Sequence, residues 1–339
     1  MYLPTAFSGP ESEYNSLIND VTFGDFAAER QVEVSGPDAY NFIRYINPRN
    51  LSKCDIGDCK YIVLTDKNGG IINDACLLRL EPNKFWVSPG DGDVLLWLQG
   101  IAINSGMDVD IHEPDVSPLQ ISGPKAGKLI QKLFNGIHDD LGYYKARETS
   151  LNNIPMVIAR TGWSGELSYE LYLQDRKKGD ELFEIVHEAA KEFNGAVIAP
   201  NTIRTIEGGL LSYQSDFGRE HNPFTIGLDR LVDLEQDVDF IGKDALSKIK
   251  EAPIQKKLAC MVLEDPEGMA LGTEPIYSDG KAVGYVTSTN YGYYVDKHIV
   301  YGYLPSELSS TGTKLEVEYF GKRYPLTVTT EPLLDPENR

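Results

Sequence analysis

"QVEVSGPDAYNFIRYI", Gln31–Ile46, and "PLQISGPKAGKLIQKL", Pro118–Leu133, are two settings of one template. Each opens with a short alternating strand, Val32 and Val34 in the first and Leu119 and Ile121 in the second. Ser-Gly-Pro follows in both, Ser35-Gly36-Pro37 and Ser122-Gly123-Pro124, and then a stretch with apolar residues at helical spacing. A Gly-Pro pair after a strand supplies a tight turn and puts proline at a helix start, where its missing N–H costs nothing. The copies are 87 residues apart. Chance recurrence of a strand–helix pattern is the competing explanation, and the shared Ser-Gly-Pro at one offset weighs against it.

The match continues downstream. "KFWVSPG" and "DVLLWLQGI", from Lys84 and Asp93, are echoed by "YELYLQ" and "DELFEIVHEAA", from Tyr169 and Asp180. Each copy therefore reads strand–helix–strand–strand–helix with a closing strand. That order suits a split βαβ, ferredoxin-like sheet with helices on one face. After about Lys250 the character changes to short β-rich runs separated by Gly, Pro, Asn and Asp, with "DGK" and "FGKR" as hairpin turns. The predicted class is α+β: two ferredoxin-like domains from a duplicated unit, then a small C-terminal β-barrel or sandwich.

The chain has 339 residues, with 32 basic against 51 acidic, a net charge of -19. Such a surface repels nucleic acid and anionic membranes, so neither is expected as a partner. No stretch approaches the run of about 20 apolar residues that a span requires. "MYLPTAFSGP" lacks the features of a signal peptide, which makes the cytoplasm the expected compartment. Four cysteines and five scattered histidines show no zinc-ligand spacing, and no metal site is expected.

Three stretches carry chemistry. In "NGGIINDACLLRL", Asn68–Leu80, an amide and a carboxylate, Asn73 and Asp74, interrupt a run that otherwise reads as a buried strand. A buried carboxylate is costly unless paired or hydrogen-bonded, so Asp74 asks for a reason. In "ARTGWSGELSYELYLQ", alternation puts Tyr169, Leu171 and Leu173 on one face and Glu170, Tyr172 and Gln174 on the other. Glu170 and Tyr172 form a polar, aromatic face suited to a planar heterocycle with N–H donors, and Trp163 in its Gly-flanked turn can stack on such a ring. The plainer reading is a solvated sheet face. In "PNTIRTIEGGLLSYQSD", Pro200 to Leu211 reads as a helix with Arg204 and Glu207 at i, i+3, for which the plainer reading is a weak surface ion pair.

Taken in order, strand-S-G-P-helix, "GGIINDACL", "RTGWSGELSYEL", "EGGLLSYQSD", "NPFTIGLDRLV", "FIGKDAL" and "VGYVTST" resemble the aminomethyltransferase (glycine-cleavage T-protein) family of tetrahydrofolate-dependent one-carbon transferases, over nearly the whole chain. "ERQVEVSG", "GDGDVLLWLQG", "EPDVSPLQISGPK" and "IEGGLLSY" are most similar to its dimethylsulfoniopropionate demethylase branch. The resemblance implies a three-domain cloverleaf with tetrahydrofolate in its central channel. The implied domains are residues 1–30 with 115–245 for folate, 31–114 for the second ferredoxin-like domain, and 246–339 for the barrel. Asp74 matches the acidic residue near the folate nitrogen that receives the one-carbon unit. Glu170 matches the acidic residue binding the pterin, Tyr172 and Trp163 match aromatics around it, and Arg204 is the candidate for a further folate contact. Thr205 and Thr225 stand where the family pattern has an arginine and an acidic residue.

The expected function is tetrahydrofolate-dependent demethylation of a small sulfonium compound. Alternatives are an aminomethyltransferase or an O- or N-demethylase of the same family, or a folate-binding protein without turnover. The expected partner is a small-molecule methyl donor, and a homodimer is the candidate assembly.

Overall fold

The computed structural model of the chain describes residues 4–200 and 202–334. These form two compact units, one drawn from residues up to 64, 73 to 200 and 236–240, the other from 65–72, 202–235 and 241 onward.

The first unit starts with α1 (Pro10–Asn19) and β1 (Thr22–Asp25). The first copy of the repeat follows as β2 (Val32–Ser35), α2 (Ala39–Tyr45), β3 (Cys59–Thr65), β4 (Ile71–Glu81), β5 (Lys84–Ser88), α3 (Val94–Ala102) and β6 (Asp110–His112). The second is β7 (Ser117–Ser122), α4 (Ala126–Leu133), α5 (Ile137–Asp140), β8 (Ala146–Leu151), β9 (Ile154–Ala159), β10 (Ser168–Leu173), α6 (Gly179–Ala190) and β11 (Ala196–Val197). Their sheets have matching orders, β3-β4-β5-β2-β6 and β8-β9-β10-β7-β1-β11. Each copy carries three strands between its helices, one more than the sequence pattern suggests. The extra strands, β3 and β8, are edge strands of their sheets.

Both Ser-Gly-Pro segments make the same turn. Gly36 and Gly123 have φ of 115° and 120°, and the amides of Ala39 and Ala126 donate to their carbonyls at 3.1 and 3.0 Å. A Cβ at Gly36 would lie 2.8 Å from the Asp108 carbonyl oxygen, and one at Gly123 2.7 Å from that of Asp20. Conformation and space both demand glycine. The helices become regular only at Ala39 and Ala126, so Pro37 and Pro124 lie in the turn and not at the first helical position.

Two apolar layers follow from the strand period. On one side of the second sheet, Ile121, Met156, Ile158, Tyr169 and Leu171 pack with Leu129, Ile130, Leu182 and Val186 of the helices. Between the two sheets of this unit, Cys59, Leu78 and Trp86 meet Val157, Ala159 and Tyr172. The Trp86 and Tyr172 rings lie 5.8 Å apart.

The second unit contains α7 (Thr202–Glu207), α8 (Lys243–Glu251) and a closed barrel. Its strands are β12 (Lys256–Leu263), β13 (Pro275–Ser278), β14 (Lys281–Gly292), β15 (Lys297–Pro305), β16 (Lys314–Tyr319) and β17 (Lys322–Val328), in the order β12-β15-β14-β13-β16-β17. Both expected hairpins form. Asp279-Gly280 and Phe320-Gly321 have positive φ at both central residues, as two-residue turns matching strand twist require. The helix expected over Pro200 to Leu211 is shorter, and its Asn201 lies outside the described residues. It ends at Glu207 because Gly209 turns left-handed, with a φ of 68°.

Candidate active site

The site residues of the first unit are set by two strands. Along β4 the alternation sends Asn73, Ala75 and Leu77 into full burial and turns Asp74, Cys76 and Leu78 toward the layer between the sheets. Asn73 is fixed by donating to the Asp91 carbonyl at 2.6 Å, and its Oδ1 accepts from the Asp74 amide at 2.8 Å. Asp74 itself is half-buried and accepts from the Tyr61 hydroxyl at 2.8 Å. Removal from water pushes its carboxyl up to about 6, against the opposing effect of the Tyr61 hydroxyl and its own amide. Asp74 is thus a carboxylate poised near neutrality, a state suited to exchanging a proton.

Across the layer, β10 keeps the expected division. Tyr169, Leu171 and Leu173 enter the helix-side core, whereas Tyr172 joins the inter-sheet cluster. The solvated-face reading fails, because all six residues of β10 are buried. Glu170 accepts from the hydroxyls of Thr161 and, at 2.9 Å, Tyr172. Burial still raises its pKa, against the lowering effects of Thr161, Tyr172 and Gln120. Gln120 lies directly opposite Glu170 in the β7–β10 register. Its Nε2 is buried and makes no hydrogen bond of standard geometry, yet its amide still favours the Glu170 carboxylate from across the register.

The duplication shows here too. Glu33 and Gln120 hold the same place in the two templates. Glu33 pairs across its sheet with Trp86 and accepts from the indole N–H at 2.9 Å, where Gln120 pairs with Glu170. One template position has therefore become an aromatic in one copy and a carboxylate in the other.

Trp163 stands in a shallow cleft with Phe26, Gln120, Ser122, Ile198 and Pro200. Gln120 joins this cleft to Glu170. Asp74, Glu170, Tyr172 and Trp163 thus belong to one unit. Arg204 belongs to the other, where it donates to Glu207 at 3.0 Å with both side chains buried and lies 5.3 Å from the Tyr294 ring centroid. The surface-pair reading is corrected: α7 turns this pair into the barrel unit, and Glu207 also accepts from the Tyr294 amide at 2.9 Å.

Sequence reasoning missed Tyr61, Gln120 and Glu29. Tyr61 and Gln120 carried a signal, since each has the strand parity of a residue in the inter-sheet layer. Glu29 precedes a strand and carried none. Its carboxyl is raised well above its usual value by burial and then by the charge of Glu170.

The chain thus combines a split, duplicated α/β unit, with carboxylates enclosed between its sheets, and a closed barrel. The GCVT N-terminal domain model matches residues 1–236 and the glycine cleavage T-protein C-terminal barrel domain model matches 256–335. The chain belongs to the glycine cleavage T-protein family and is an enzyme of its one-carbon transferase class. Dimethylsulfoniopropionate demethylase of Ruegeria pomeroyi is 32% identical over 97% of this chain and 90% of its own length. An aminomethyltransferase of Symbiobacterium thermophilum is 26% identical over 99% and 92%. The crystal structure of glycine cleavage system aminomethyltransferase T from Bartonella henselae superposes with a TM-score of 0.87 at 22% identity, over 97% of this chain and 90% of that one. No helix among the described residues is long and apolar enough to cross a membrane.

Proposed function

We propose that the protein transfers a methyl group from a small sulfonium compound, such as dimethylsulfoniopropionate, to tetrahydrofolate, leaving a thioether. The observation that carries this reading is the pair of carboxylates withdrawn from water, Asp74 and Glu170, on the layer between the sheets, together with the similarity to a sulfonium demethylase. The fit to a reduced pterin rests on Glu170 as acceptor for ring N–H groups, on Gln120 opposite it in the register, and on the neighbouring aromatics.

When bound, tetrahydrofolate supplies the nitrogen that accepts the one-carbon unit. In this reading Glu170 anchors the pterin edge, with Tyr172 holding the carboxylate's orientation through their hydrogen bond. Trp163 packs against the ring. Asp74 orients or takes the proton of the accepting nitrogen, and its pKa near 6 leaves it ionised at neutral pH. A sulfonium carries a good neutral leaving group, so no general acid is required and alignment of nucleophile and methyl becomes the main task. Aromatic faces favour the cationic donor by cation–π attraction.

The test is to incubate purified protein with tetrahydrofolate and a donor panel, and to identify the folate product by mass spectrometry. Methyl-tetrahydrofolate and a thioether from the sulfonium are expected. Methylene-tetrahydrofolate from an aminomethyl donor, or no product from the sulfonium, overturns the assignment.

A further inference from the structure

The connection from β1 to β2 runs from one sheet of the first unit to the other, and it carries Glu29. The Glu29 amide donates to the Phe26 carbonyl at 2.8 Å, which fixes the turn. Its side chain is half-buried, and no hydrogen bond or ion pair from the described residues reaches its carboxylate. The Phe26 amide at the start of this turn donates to the Pro118 carbonyl at 3.0 Å, opposite Tyr172 in the β7–β10 register. Glu29 feels the charge of Glu170, and its own charge acts on Tyr172 and on Cys76 of β4, so it lies on the inter-sheet layer. Two residues on, Gln31 is 1% exposed and donates to the Ser88 hydroxyl at 3.0 Å, while its Oε1 has no partner. Gln31 shares strand parity with Glu33, the partner of Trp86, so it faces the same layer. Besides Asp74 and Glu33, which have the Tyr61 hydroxyl and the Trp86 indole as donors, the layer thus holds Glu29, Glu170 and an orphaned carbonyl oxygen beside the Trp86–Tyr172 aromatic pair, with no cation among the described residues facing Glu29.

Negative charge and acceptor atoms held out of water without a counter-charge are costly unless a ligand completes them. Glu170 already has hydroxyl donors and Glu29 has none. The missing element is a compact cation that needs charge and aromatic surface and not N–H partners, which describes a sulfonium or quaternary ammonium centre.

We propose that Glu29 is the specificity residue that selects a positively charged onium donor, by facing its cationic centre from the β1–β2 connection. This rests on the methyl-transfer reading above. It assigns the choice of donor to Glu29 and leaves folate binding to Glu170. Burial and the charge of Glu170 raise the Glu29 carboxyl, and a cation facing it favours the ionised form, so binding releases to solvent whatever proton the carboxyl still carries. Affinity for the cation therefore rises with pH, while affinity for a neutral analogue does not.

The test measures binding to the full chain by calorimetry, without folate, for dimethylsulfoniopropionate and for its uncharged-centre analogue 4-methylpentanoate. A quaternary ammonium compound, glycine betaine, distinguishes sulfonium from general onium selection. The wild type should prefer the sulfonium by about tenfold or more, as a charge-assisted contact warrants. Glu29→Gln should bring the two ligands within about twofold, remove the pH dependence, and leave tetrahydrofolate affinity unchanged. Glu29→Asp should keep part of the preference, which separates charge from fold. The proposal is overturned if Glu29→Gln retains the preference, if it weakens folate instead, or if the wild type shows no preference. Product formation by the wild type judges the methyl-transfer reading separately. A sulfonium that yields methyl-tetrahydrofolate with an unchanged KM in Glu29→Gln would sink the role of Glu29 alone.

Discussion

Asp74→Asn separates the two things a carboxylate withdrawn from water can do. The amide oxygen can still accept from the Tyr61 hydroxyl, and the side chain keeps its volume. The Asp74 carboxyl sits at about 6, roughly two units above the ordinary value of about 3.9. At about 1.4 kcal/mol per unit, ionising it in the folded protein costs about 3 kcal/mol more than in the unfolded chain. Because the native pKa is raised, the associated stability is fully present below about pH 4 and is lost as pH rises through 6. The stability of the Asp74→Asn variant relative to wild type should therefore increase by up to about 3 kcal/mol between pH 4 and pH 7. Turnover should move the other way, falling by about 10²–10⁴-fold for loss of a positioned acid–base group. The wild-type rate should rise with pH through about 6 as Asp74 ionises, and the variant should lack that limb. Denaturant melts at pH 4 and pH 7, with single-turnover rates across the same range, provide the measurements. A variant with wild-type turnover, or with the wild-type dependence of stability on pH, would refute the reasoning.

Glu170→Ala should weaken tetrahydrofolate by roughly ten- to a hundredfold, because pterin N–H groups lose their acceptor at about 1–3 kcal/mol; fluorescence titration measures it, and unchanged affinity removes this anchor. Arg204→Ala should destabilise the second unit by about 3–5 kcal/mol by leaving the fully buried Glu207 carboxylate without its counter-charge; an unshifted denaturant midpoint would contradict the buried-pair assignment. Gly123→Ala should lower the melting temperature more than Gly136→Ala, since a Cβ at Gly123 meets two backbone carbonyls within 3 Å while Gly136 has open space; equal effects would refute the steric argument.

The sequence by itself determined the duplication, because the Ser-Gly-Pro turn has a covalent cause: only glycine adopts φ near 120° against a carbonyl less than 3 Å away. It also determined the hairpins of the barrel and the two faces of β10, since turn chemistry and the two-residue strand period are local. The third strand of each repeat was hidden, because neither the short apolar run of β3 nor the polar Ala-Arg-Glu-Thr-Ser-Leu of β8 signals a strand until a sheet edge is there to receive it. Only the tertiary structure decided which polar residues are buried. Glu170 and the Arg204–Glu207 pair read equally well as solvated until sheet and helix packing closed over them. Glu29 is the clearest case. It is an ordinary glutamate before a strand, made distinctive only by a connection between sheets that holds it beside Glu170 in a layer with no counter-charge for it among the described residues. Burial is a property of what the rest of the chain does to a residue, and local pattern carries no record of it.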